Sequence, residues 1–175
     1  MRNRIVQAPL AARIDGVPVL LRNLQRSVPI DTKRLSRMAE KILTAARVEN
    51  TELSIILVSD RRIRTLNARY RKKNRATDVL AFPLAMVGPI QPRCSSRTKP
   101  RAQPPKLLGD VVISLSTAQR QVQALRHGLY KEVARLLVHG VLHLLGYDHE
   151  QGPQEAARMI RQEHRLLQIV GATSA

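Results

Sequence analysis

YKEVARLLVHGVLHLLGYDH, from Tyr130 to His149, decides how the rest of the chain is read. Val133, Leu136, Leu137, Val141 and Leu144 recur at helical spacing, so Tyr130–Leu145 is predicted to be a helix with a wide apolar face. Gly146 follows, the residue type at which helices commonly stop because it enters left-handed backbone freely. Three of the chain's five histidines fall in this stretch: His139, His143 and His149. An α-helix turns about 100° per residue, so His139 and His143 project from one face, one turn apart. A turn at Gly146 would carry His149 back toward the same point.

Outward from this helix the chain alternates. Downstream, Gln154–Val170 has helical periodicity, and upstream Ser116–Leu125 does too. Before them, Pro18–Gln25, Glu52–Ser59, a short apolar run ending near Pro83, and Leu107–Ser114 read as strands. Asp31 is placed to cap a helix carrying Leu35, Met38, Ala39, Ile42 and Leu43 on one face, and Ser59 or Asp60 to cap a basic helix reaching about Tyr70. Strands come mainly first and helices last. The expected fold class is therefore α/β (α+β), with a single mixed sheet of about four strands packed with about five helices. At 175 residues and 43% hydrophobic, the chain has the size and composition of one domain with its own core. That domain is expected over residues 17–170, between an N-terminal extension (1–16) and a short tail (171–175), with a Pro-, Ser- and basic-rich insertion at about 87–106.

Two neutral imidazoles one helical turn apart and a third past the turn are a metal-binding pattern. A lone HxxxH pair recurs by chance; the third histidine makes accident a poor explanation. Three nitrogen ligands suit a single Zn²⁺ ion and leave a fourth tetrahedral position for water, whose pKa falls to roughly 7. Nickel and iron are alternatives. A purely structural zinc would call for four protein ligands. The single Cys94 rules out an internal disulfide framework and a cysteine zinc site, and makes a reducing compartment the default.

Charge supplies the second signal. Thirty Lys and Arg stand against thirteen Asp and Glu, a formal +17, and such a field attracts polyanions. The excess is clustered. Arg61–Arg75 holds eight basic residues and no acid, and Val79–Gly109 again holds none. Clustering favours nucleic acid over mere solubility. An anionic membrane surface is the weaker candidate, because the basic stretches lack the bulky Trp and Phe of an interfacial helix. Phe82, Tyr70, Tyr130 and Tyr147 are the whole aromatic complement, too few for a module that stacks bases on aromatic platforms. Recognition of backbone and shape fits better.

The spacing His139, His143, Gly146, His149 also matches the metzincin proteases, in which a Glu after the first histidine is the general base. Gly140 occupies that position and can do no acid–base work. Glu132, Glu150, Glu155 or Glu163 would have to reach the site through the fold. Peptide hydrolysis is weakened, and a phosphodiester substrate fits a basic protein better.

HGVLHLLGYDH, His139 to His149, resembles the signature of the YbeY family of endoribonucleases and rRNA-maturation factors. LNARYRKKNRATDVLAFP (Leu66–Pro83) and LLGDVVIS (Leu107–Ser114) resemble further segments of the family, and Met159 and Glu163 fall where its last helix carries a Met and a Glu. The resemblance covers about Val17 to Val170. It implies a zinc-hydrolase-like core, one zinc ion on His139, His143 and His149, and a single-strand-specific endoribonuclease of ribosomal RNA processing and ribosome quality control. The ribosome or ribosomal proteins are the implied partners. The family's functional arginine falls on Arg71, which would bind the scissile phosphate or stabilise the transition state; the bland reading is a solvated helix end. Lys72, Lys73 and Arg75 read, with Arg71, as RNA-binding phosphate contacts.

Gly146 is expected to permit the turn, and Tyr147 and Asp148 to shape it. Asp148 has a second reading, as acceptor of an imidazole N–H. Ion pairing is the expectation for Asp78 and Asp110, and packing or surface placement for His127 and His164. Ala81 stands where the family usually has Ser, so any hydrogen bond of that hydroxyl is absent. The basic insertion is expected to add affinity for RNA backbone without adding chemistry. Two other function classes stay open: a zinc peptidase, and a non-catalytic ribosome-assembly factor with a residual metal site. No apolar run is long enough to span a bilayer, and the N-terminus lacks the apolar core of a secretory signal. The expected location is the cytoplasm, with an organelle matrix the alternative if the arginine-rich residues 1–13 act as a transit segment. Oligomeric state is not legible.

Overall fold

Strand β2, Thr51–Val58, follows the two-residue period of a pleated strand, burying Leu53, Ile55 and Leu57 on one face while Glu52, Ser54 and Ile56 turn to the other. In the computed structural model, which describes residues 18–48, 50–84, 106–125 and 128–171, β2 lies inside a four-stranded sheet. β1 is Val19–Asn23, β3 Val79–Pro83 and β4 Lys106–Ser114. The order is β1-β2-β4-β3, with β1 and β4 parallel to β2 and β3 antiparallel to β4. Among the described residues five α-helices accompany the sheet: α1 Thr32–Ala45, α2 Asp60–Arg71, α3 Leu115–Leu125, α4 Leu129–Leu144 and α5 Pro153–Ile169. This is the single mixed sheet with five helices that the alternating pattern predicts.

The main core lies between one face of the sheet and α1, α4 and α5. Leu35, Ile42 and Leu43 of α1, and Leu137, Val138 and Val141 of α4, meet Leu53, Ile55, Val111 and Ile113 there. A smaller cluster on the opposite face packs Ile63 of α2 against Val58, Leu80 and Val112. Helix α4 is buried nearly all round, from Val133 to Leu144. Its seat on the sheet is close: a Cβ added at Gly140 would stand 2.7 Å from Cγ1 of Val111. Gly109, at φ +146, is equally constrained, since a Cβ there would meet Phe82 O at 2.4 Å and Leu144 Cδ2 at 2.9 Å.

Several ends differ from expectation for local reasons. The first strand stops at Asn23 because Gln25 closes a turn, its amide donating to Val28 O and its Oε1 accepting from Val28 N, both at 2.9 Å. Asp31 caps α1 as expected, accepting from the amides of Lys33 and Arg34. Ser59 is the N-cap of α2 but makes no side-chain cap bond. Asp60 faces inward instead, accepting from Ser114, from Thr117 Oγ1 at 2.7 Å and pairing with Arg120 at 2.7 Å, which ties α2 to β4 and α3. Among the described residues no helix is long and apolar enough to cross a membrane. Residues 1–17, 49, 85–105, 126–127 and 172–175 lie outside those described, and with them the expected N-terminal extension, nearly all of the basic insertion, Cys94 and His127.

Candidate metal centre

The end of α4 builds the histidine cluster. The amide of Tyr147 donates to Leu142 O and that of Gly146 to His143 O, both at 3.0 Å, the paired bonds of a Schellman stop. Gly146 sits at φ +88, where a Cβ costs about 1–2 kcal/mol. The chain then enters a single 3-10 turn, His149–Gln151, capped by Asp148, whose carboxylate accepts from the Glu150 amide at 2.9 Å and from Gln151 Nε2 at 3.3 Å. Of its two readings Asp148 therefore takes the first: it shapes the turn that presents His149.

One ring nitrogen from each of His139, His143 and His149 lies within 4.8 Å of the others. Nε2 of His139 and Nε2 of His143 are 3.1 Å apart. Ligands about 2.0–2.1 Å from a tetrahedral ion stand slightly more than 3 Å apart, so the cluster fits a single ion after small adjustments. The partner of an imidazole is Glu163 on α5, with Oε1 2.7 Å from His139 Nδ1. A carboxylate only accepts, so Nδ1 carries the proton and Nε2 is left as the free lone pair facing the cluster. His143 is held below the usual histidine range, by burial first and then by the rings of His139 and His149, with Arg71 adding to the effect and Asp148 opposing it. Neutral imidazole is the form that binds metal. These three side chains could hold a metal ion.

Arg71 is the last residue of α2, and its charge reaches His143. Lys72 follows in left-handed backbone at φ +59. Lys73 and Arg75 are exposed on the next loop, where Arg75 lines a cleft of about 490 Å³ with Arg61 and Arg64. The basic segment is thus split: the charge of Arg71 is felt at His143, while Arg75 lines a separate groove. Asn67, which composition and spacing leave unremarked, organises this loop. Buried in α2, it donates from Nδ2 to Arg75 O at 2.8 Å and its carbonyl accepts from the amides of Lys72 and Lys73. A poor helix former midway along a basic helix was the available signal.

Of the other candidate glutamates, Glu132 is fully buried with Arg135 at 2.6 Å, and Glu155 pairs with Arg158. Asp78 has the ion pair expected of it, 3.7 Å from Arg135. His164 is exposed on α5. Ala81 is half-buried against the main core.

The family model described as Endoribonuclease YbeY matches residues 20–171. A protein named Endoribonuclease YbeY from Aquifex aeolicus is 42% identical over 150 residues, covering 85% of this chain and 89% of its own. One of the same name from Pelotomaculum thermopropionicum is 42% identical over 155 residues, covering 86% and 95%. The solution structure of the Thermotoga maritima protein TM1509 superposes with a TM-score of 0.57 at 22% identity, over 87% of this chain and 88% of that one, a likeness of fold. The order of strands and helices, the histidine cluster at the end of α4 and the two close sequence relatives agree, and the chain belongs to the Endoribonuclease YbeY family.

Proposed function

We propose that the protein is a zinc-dependent, single-strand-specific endoribonuclease of ribosomal RNA maturation, acting in the cytoplasm through one catalytic domain over residues 17–170. The observation that carries this reading is the convergence of three imidazole nitrogens within 4.8 Å of one another, within electrostatic reach of Arg71 at the end of α2. His139, His143 and His149 would hold the ion, and the all-nitrogen donor set favours zinc over harder cations. When bound, zinc supplies Lewis-acid activation at neutral pH. Glu163 keeps His139 in the ligating tautomer. Arg71 binds the scissile phosphate and offsets the charge that develops on its oxygens. Lys72, Lys73 and Arg75 hold flanking phosphates without reading sequence. The peptidase alternative loses support on packing grounds, because position 140, where a metzincin carries its glutamate, is pressed against Val111.

The test is cleavage of single-stranded ribosomal RNA with metal content measured on the same preparations. Wild type is expected to cut with about one zinc per chain. His143→Ala should lose both metal and cleavage, whereas Arg71→Ala should keep its metal and lose about 100-fold in rate. Metal-loaded wild type that binds RNA tightly without cutting it would establish the assembly-factor reading instead.

A further inference from the structure

At the far end of α4 from the histidines a cleft of about 620 Å³ opens between α1, the first turn of α4 and the end of α5. Arg34, Arg37 and Lys41 line it from α1, and Tyr130 and Lys131 from α4; no acidic residue does. The three α1 cations are three and four residues apart and so form one stripe, distinct from the buried stripe of Leu35, Ala39 and Ile42. Among the described residues the ion pairs are made by other side chains, and none of these four cations takes part in one. One of them is held in place. The hydroxyl of Tyr130 accepts from the Asp31 amide at 2.8 Å, which fixes the ring, and the Arg34 guanidinium carbon lies 4.0 Å from its centroid. The stack leaves the guanidinium edge, with its fork of N–H donors, for a ligand. Asp31, the carboxylate at the start of α1, is occupied by the amides of Lys33 and Arg34.

Four unpaired cations crowded round a cleft repel one another, which is tolerated where an anion is the working partner. Planar guanidinium groups beside lysines match phosphate oxygens. Tyr130 and His139 are nine residues apart, about 14 Å along the helix and half a turn round it, so the cleft cannot serve the phosphate that lies at the histidines. We propose that this cleft binds the phosphodiester backbone of an RNA strand outside the segment being cut, as a second, sequence-independent hold on the substrate. This rests on the RNA-cleaving function proposed above.

The experiment measures binding of the full chain, as purified, to a fluorescent single-stranded RNA across a range of salt concentrations, a readout that needs no cleavage. Each phosphate contact on a single strand contributes about 0.7 to the slope of log affinity against log salt. The variant Arg37→Gln, Lys41→Gln, Lys131→Gln should therefore flatten the slope by about 2. A control variant, Arg22→Gln, Arg26→Gln, Arg47→Gln, removes equal charge from residues outside the cleft and should flatten it by clearly less. Lys41→Gln alone, on an exposed helical position, gives a drop of about 0.7 should the triple variant unfold. An unchanged slope, or an equal fall in both triple variants, would overturn the proposal; the first would leave the cleft to an acidic protein surface and the second to the general field of the molecule. Cleavage of a short RNA confined to the histidine site is expected to stay at the wild-type rate in the cleft variant. A protein that binds with the expected slopes but never cuts would sink the enzymatic reading and leave the cleft standing.

Discussion

Glu163 lies twenty-four residues beyond His139 in the chain, and the two side chains meet at 2.7 Å because α5 returns along α4. Replacing it with Gln keeps the shape and removes the charge that supports the imidazole as a ligand. Glu163→Gln is expected to weaken metal affinity by about 10- to 100-fold with little change in thermal stability. Competition against a chromogenic chelator measures this, and an unchanged affinity would remove Glu163 from the site. The histidines and their partner differ in how they can be read. His139 and His143 are legible because a helix converts a four-residue interval into proximity, and His149 because Gly146 marks the reversal. Glu163 was one of four glutamates within conceivable reach, and no local periodicity relates α5 to α4. Asp148 illustrates the opposite case, a residue close in sequence whose hydrogen bonds serve the backbone of the turn.

Helices and strands, taken singly, were legible wherever an apolar period was strong. The mixed sheet and its helices follow from it, and the capped start of α1 from Asp31, whereas the order β1-β2-β4-β3 and its two parallel pairings do not. The 3-10 turn at His149–Gln151 was not, since three residues carry no period, and its existence depends on the Asp148 cap. Nor was the seat of α4, where Gly140 sits against the stiff, fully buried Val111. Gly140→Ala brings two effects of opposite sign: a gain of about 1 kcal/mol in helix propensity, and overpacking of about 1–3 kcal/mol. At 2.7 Å from a β-branched side chain the clash should win, giving a net loss of about 1 kcal/mol. Adding Val111→Ala should make the two substitutions less than additive, by about 0.5 kcal/mol or more. Urea unfolding of the four proteins of this cycle decides it. A stabilised Gly140→Ala would mean that α4 can lift from the sheet without penalty.

For the whole molecule, thirty cations must be accommodated around thirteen acids, and two of the acids do more than balance charge. Asp60 joins α2, β4 and α3, and Asp78 accepts from Gln121 and from the Val79 amide beside Arg135. Burial alone would raise both carboxyls. Hydrogen bonds from Ser114, Thr117 and Arg120 outweigh it at Asp60, and those from Gln121 and Val79 at Asp78, so both lie below the ordinary value of 3.8. A lowered carboxyl stabilises the fold in full above that ordinary value and loses its contribution as pH falls through the lowered one. The gap in melting temperature between wild type and Asp60→Asn, Asp78→Asn should thus be wide near neutral pH and close below about pH 4. A gap that persisted in acid would show that shape, and not charge, holds these junctions. The pairing of Pro83 with Gly109, beside Leu144 and hence next to His143, has a different kind of consequence. Phe82, the neighbour of Pro83 on that edge strand, pairs with Asp110, and Tyr70, next to Arg71, packs its ring on that of Phe82 at 5.0 Å between centroids. One strand residue, Phe82, thus buttresses the helix that ends at Arg71 and, across Gly109, lies against the helix that carries His139 and His143, so the two helices share a single wall.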